Sequence, residues 1–77
     1  MSITHRQRRM LGQIGETYLS VKQLTDELGT SWGSTYATAT ELVRKDYLRL
    51  VSRDGMTHYT ITPKGAKILR EPYAQAQ

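Results

Sequence analysis

The sequence predicts a mainly α fold carrying one small β-hairpin, an α+β class. Three observations predict it. Residues 4–45 hold apolar side chains at helical spacing in three runs, each opened by Thr4, Ser20 or Ser31 and broken at Gly15 and Gly29. Residues 48–53 and 56–62 alternate in the manner of strands around Asp54-Gly55. Thr62-Pro63 then opens a last helical run, proline being suited to a first helical position because its missing N–H is not needed there.

Taken in order, the first helix is expected over residues 4–15, with Thr4 as N-cap, Met10, Leu11 and Ile14 inward and Arg6, Arg9 and Gln13 on the other side. Arg6, Arg8 and Arg9 read equally as a solvated face or as phosphate contacts. Tyr18-Leu19 is a short apolar step able to pair with the later hairpin. Ser20 and Gln23 form a capping box for a second helix over 20–28, whose stripe is Val21, Leu24 and Leu28. Gly29 supplies the left-handed residue that ends it. The third helix is expected over 31–45 from Ser31, burying Thr35, Ala39, Leu42 and Val43, with Arg44 and Lys45 suiting the negative end of its dipole. A hairpin over 48–62 follows, with Leu48 and Leu50 sharing one face, as do Tyr59 and Ile61. Asp-Gly fits a type I′ turn, where both central residues need positive φ. The last helix is expected over 63–70 with Ile68 and Leu69 buried, Glu71-Pro72 stopping it and 71–77 forming a loose tail.

The length of 77 residues fits a single domain over 1–77 with a thin core. No cysteine is present, so no disulfide or thiolate zinc site staples it. No apolar run reaches the roughly 18 residues of a membrane span, and the N-terminus lacks a signal-peptide apolar stretch, so a cytoplasmic protein is expected. Eleven Lys and Arg against seven Asp and Glu leave a net charge of +4. The pI of about 9.7 lies in the range of nucleic-acid-binding domains.

The order of parts, with VKQLTDELGTSWGSTYATATELVRKDYL as paired helices and YTITPKG as a strand-to-helix junction, resembles the winged helix–turn–helix regulators of the MarR, PadR and ArsR kind. In those families the junction reads Tyr-x-Leu-Thr-Pro-x-Gly. The resemblance covers roughly residues 19 to 70. It implies a three-helix core with a wing and a C-terminal helix, and a transcriptional regulator of double-stranded DNA. DNA would be contacted by the third helix in the major groove and by the wing, the protein acting as a homodimer. The same fold also binds proteins, so a second reading is an interaction module that meets a host factor through helix three.

With Gly29 as the turn glycine, Ser31, Trp32, Gly33, Tyr36, Ala37 and Thr40 face outward. This set holds no Arg, Lys, Asn or Gln, the side chains best able to make bidentate base contacts. Ser34 and Arg44 complete the helix-three candidates for DNA binding. Trp32 and Tyr36 have two readings each, as cover for the thin core or as exposed contacts. Glu41 would repel phosphate. On the wing the candidates are Arg53, beside the Asp54-Gly55 tip and expected to reach a phosphate or the minor groove, with Thr57 and His58 beyond it. Lys64 opposes the dipole of the last helix, which favours a role beyond local stability. For dimerisation, Met10, Ile14, Ile68, Leu69 and Tyr73 are available unless spent on the core.

Catalysis is not expected. His5 and His58 stand 53 residues apart with no acidic or cysteine cluster to complete a metal set. No Ser-His-Asp arrangement or glycine-rich phosphate loop is recognisable, and no cofactor is implied.

Overall fold

The computed structural model describes residues 3–71. Along them run α1 (His5–Ile14), β1 (Tyr18–Leu19), α2 (Val21–Leu28), α3 (Trp32–Arg44), β2 (Leu48–Arg53), β3 (Met56–Ile61) and α4 (Pro63–Arg70). Pro72, expected to stop α4, and Tyr73, expected at a dimer axis, lie outside the described residues, as does nearly all of the expected tail.

Every helix begins in the same way. Thr4, Ser20, Ser31 and Thr62 sit in extended backbone, and each hydroxyl accepts the amide three residues on, at 3.0, 3.2, 3.1 and 3.0 Å. Gln7 and Gln23 return the bond to Thr4 N and Ser20 N, completing two capping boxes. Each cap contributes about 1 kcal/mol. Helices of 8 to 13 residues need that help, because segments this short are marginal alone. The first of the two boxes explains why Gln7 is buried, which polarity alone does not suggest.

Helix ends differ. Gly29 closes α2 in the left-handed region at φ 69°. At the end of α3 that region is occupied by Asp46, at φ 66°. Tyr47 N–H donates to Leu42 O at 2.9 Å and Asp46 N–H to Val43 O at 3.0 Å, the paired bonds of a Schellman motif with aspartate where glycine is usual.

The sheet has the order β1-β3-β2, all antiparallel. Leu48 pairs Ile61, Leu50 pairs Tyr59, Arg53 pairs Met56, and Tyr18 and Leu19 pair Thr60 and Tyr59. The tip is the expected turn, with Asp54 at φ 55° and Gly55 at φ 76°. Because partners in an antiparallel ladder point to one side, Leu19, Leu48, Leu50, Ser52, Thr57, Tyr59 and Ile61 share the inner face. Tyr18, Arg49, Val51, Arg53, Met56, His58 and Thr60 share the outer one.

Met10, Leu11, Ile14, Leu24, Leu42 and Leu48 form the sealed centre, with Thr35 beside them. The core is thinner than the sequence pattern predicts. Leu50 is exposed, because the hairpin overhangs the helices beyond Tyr59. Val21, Leu28, Val43, Ile61, Ile68 and Leu69 pack against the core but remain partly open. Met10 and Ile14 are spent inside this core and are not available to a second copy.

The Thr62-Pro63-Lys64-Gly65 junction locks α4 to the end of α3. Thr62 N–H donates to Tyr47 O at 3.1 Å, and Thr62 Oγ1 donates to Asp46 O at 2.6 Å while accepting from Gly65 N–H. A Cβ at Gly65 would lie 2.2 Å from Tyr47 O, so only glycine lets the two segments meet this closely. Lys64 lies over the Tyr47 ring at 5.3 Å. This contact gives its position a local explanation, where the sequence favoured a role beyond stability.

Candidate nucleic-acid interface

α3 divides its exposed surface into three rows, fixed by which residues the core takes. Thr35, Ala39 and Leu42 face inward. At 100° per residue the opposite side carries Gly33, Ala37, Thr40 and, in the last turn, Arg44. All four are exposed. Trp32 and Tyr36 occupy the flank toward the hairpin. Ser34 and Thr38 occupy the flank toward α1, where Arg6 Nη1 donates to Ser34 Oγ at 3.3 Å.

The middle row is made of small side chains and lets another backbone come close. Trp32 is 58 % exposed and Tyr36 55 %. Of the two readings for Trp32, cover for the core is therefore wrong. The first turn of α3 aims it past the centre that Thr35 and Ala39 already fill. Tyr36 reaches the hairpin. Tyr59 has its pKa raised, first by burial and then by the nearby Tyr36 phenol, whose charge would repel a second phenolate.

Charge on α3 is confined to its end. Arg44 donates to Glu41 at 2.9 Å, and Lys45 lies 4.0 Å from the same carboxylate. Glu41, expected to repel phosphate, is thus offset by two cations. No cation stands in the middle row before Arg44, so positive charge is not continuous across α3. The remaining charge lies off the helix, with Arg6 and Arg9 on the α1 flank and Arg49 and Arg53 on the outer face of the hairpin.

The hairpin candidates separate. Thr57 is on the inner face, turned toward α3. Arg53 and His58 are on the outer face, together with Tyr18. The Arg53 guanidinium lies 4.2 Å above the Tyr18 ring, and His58 meets the same ring edge-on at 5.4 Å between centroids. His58 Nδ1 is 3.1 Å from Met56 O. A carbonyl can only accept, so Nδ1 carries the proton and Nε2 is left as an acceptor in the neutral ring. Arg53 is thus swung back along the sheet and does not extend from the tip. A stack of this kind at an exposed site is worth about 0.5–1 kcal/mol, so leaving it costs less than a factor of ten in any contact Arg53 makes elsewhere.

The sequence offers Ser34 as a DNA-binding candidate on α3 and does not reveal that it faces Arg6 and Arg9. The i, i+3 spacing of the arginines and the i, i+4 spacing of Ser34 and Thr38 were visible. That the two rows face one another depends on how α1 packs on α3.

Three helices, a two-residue strand, a hairpin pairing with it and a helix locked behind the hairpin define the architecture. It is the winged helix. The multiple antibiotic resistance repressor MarR matches with a TM-score of 0.84 at 20% identity, over 90% of this chain and 53% of that one. A MarR family protein from Bacillus stearothermophilus matches with a TM-score of 0.83 at 20% identity, over 90% and 50%. The transcriptional regulator BldR from Sulfolobus Solfataricus matches with a TM-score of 0.81 at 20% identity, over 87% and 50%. The winged-helix chain spans about half the length of these structures. No protein-family model matches the sequence, and no curated protein does. Among the described residues of the winged helix, no helix is long and apolar enough to cross a membrane.

Proposed function

We propose that the chain is a winged-helix transcriptional regulator, a single domain that binds duplex DNA with α3 and the wing. The observation that carries this reading is the surface of α3. A row of small side chains at Gly33, Ala37 and Thr40 can enter a major groove, Arg6 and Arg9 stand on its α1 flank to meet phosphate, and Arg49 and Arg53 offer further cations on the outer face of the wing. The solved structures of the same fold, named as regulators and a repressor, support it. With no Arg, Lys, Asn or Gln on the middle row before Arg44, base recognition falls to hydroxyls and methyl contacts. Shape and backbone then carry most of the affinity, and discrimination between sequences is weak.

The test is a titration of random-sequence duplex at low salt, read by fluorescence anisotropy. Binding is expected, and Ala37→Glu should abolish it by placing a carboxylate in the middle row. Arg53→Ala should lower the slope of log affinity against log salt by about one. Absence of duplex binding by the folded wild-type chain would overturn the proposal.

A homodimer belongs to the same reading. With Met10 and Ile14 buried, it would draw on the partly open Ile68 and Leu69. Sedimentation equilibrium giving only an 8.8 kDa species would refute it. The exposed Trp32 and Tyr36 also suit a protein partner, a reading to which the structural neighbours lend no support.

A further inference from the structure

The three arginines of α1 do different things. Arg8 reaches across to the end of α4, donating to Ile68 O at 3.4 Å, Leu69 O at 3.0 Å and Glu71 O. Arg6 and Arg9, one turn apart, look the other way, toward α3. Between the two helices lies a cleft of about 90 Å³, floored by Met10 and Leu28 and walled by Arg6, Arg9, Ser34 and Thr38.

The hydrogen-bonding chemistry of this cleft is one-sided. Thr35 Oγ1 donates to Ser31 O at 2.9 Å, so in the 2.7 Å contact between Thr30 and Thr35 the donor is Thr30. Both of those protons are spent within the protein. Ser34 Oγ accepts from Arg6 and keeps its own proton, and Thr38 Oγ1 makes no hydrogen bond among the described residues. No carboxylate lines the cleft, and neither Arg6 nor Arg9 has an acidic partner among the described residues. What remains is two guanidinium groups and two hydroxyls aimed at one small space with no negative charge in it. Guanidinium groups pair most strongly with oxyanions that take several N–H bonds at once.

Size narrows the ligand. A cavity that holds benzene is about 150 Å³. The cleft is smaller, a size that suits a compact tetrahedral oxyanion better than an aromatic acid. We propose that the α1–α3 cleft is a seat for one phosphate group, held by Arg6, Arg9, Ser34 and Thr38. The phosphate is either free in solution or part of a duplex backbone, and the second source rests on the proposed DNA binding while the seat itself does not.

The test follows nitrogen–proton correlation spectra of the full chain during titration with inorganic phosphate at constant ionic strength, with chloride as the control. Saturable shifts are expected at the Ser34 and Thr38 amides and at the side-chain Nε–H of Arg6 and Arg9. Arg6→Gln and Arg9→Gln should remove them, while Arg49→Gln on the wing should not. Melting curves of each variant report whether it is folded. No saturable shift in the wild type, or shifts that survive both cleft substitutions, would overturn the seat. A duplex titration then identifies the source. Each seated backbone phosphate adds about 0.9 to the salt slope. A backbone source thus predicts that, for each fourfold rise in salt, Arg9→Gln loses about 3.5-fold less affinity than the wild type. Loss of the phosphate shifts with an unchanged salt slope assigns the seat to free phosphate. A chain that binds no duplex yet shows the shifts would sink the DNA reading and keep the seat.

Discussion

Two glycines inside helices should answer the same substitution with opposite signs. A methyl at Gly65 would lie 2.2 Å from Tyr47 O and 2.9 Å from Ile61 Cγ1. Ordinary contact begins near 3.5 Å, so the closest approach is short by about 1.3 Å, against backbone that has no rotamer to change. Relief requires α4 to lift away, stretching the Thr62 bonds to Tyr47 O and Asp46 O. Those two bonds are worth about 1 kcal/mol each. Overpacking costs a further 1–3 kcal/mol or so, and the better helix propensity of alanine returns about 1 kcal/mol. Gly65→Ala should therefore destabilise by about 2–4 kcal/mol, a large share of the roughly 4–12 kcal/mol expected for 77 residues. At Gly12 the added methyl meets only Leu69 Cδ1, at 4.0 Å. Gly12→Ala should stabilise by about 0.5–1 kcal/mol. Urea denaturation of both variants, with slopes compared to confirm two-state behaviour, measures the difference. If Gly65→Ala is as stable as the wild type, or if both move in one direction, the account of the junction is wrong.

Other substitutions probe other parts of the fold. Thr25 Oγ1 is buried with no hydrogen-bond partner among the described residues. Thr25→Ala should raise stability by about 1 kcal/mol, the lost methyl being outweighed by release of the orphaned hydroxyl and by helix propensity, and a lower urea midpoint would refute this. Asp46→Gly should gain about 0.5–1 kcal/mol by relieving the left-handed backbone, whereas Asp46→Val should lose stability, both read as shifts in thermal midpoint. Tyr59 is raised above its ordinary 10.0 by burial and by Tyr36. A group with a raised folded pKa gives stability that is complete below the unfolded value and is lost as pH climbs through the folded one, so the protein should weaken above about pH 10. Tyr36→Phe should bring Tyr59 ionisation earlier, as tyrosinate absorbance would report, and a later ionisation would contradict the proximity of the two rings.

What was legible in the sequence was local. Ser20 with Gln23, Gly29, Asp54-Gly55 and Thr62-Pro63 each act within a few residues of chain, and each appears as its chemistry dictates. The inward direction of Thr35 and Ala39 followed from the turn glycine. What could not be read depends on distant segments meeting. Leu50 alternates like a buried residue but lies past the edge of a core too small to cover it. Trp32 has the bulk of a core residue and no core to enter. Arg53 is sequence-adjacent to the hairpin tip, yet its side chain returns to Tyr18, 35 positions earlier in the chain, because β1 lies beside β3. The split of Arg6, Arg8 and Arg9 between two helices has no local signature.

The two-residue strand β1 couples the wing to the helix pair. It pairs with β3 through Tyr18 and Leu19, and the next residue, Ser20, holds the first turn of α2. Rocking of the hairpin therefore pulls on the residue that starts α2. The wing acts as a lever whose short arm ends at a helix cap.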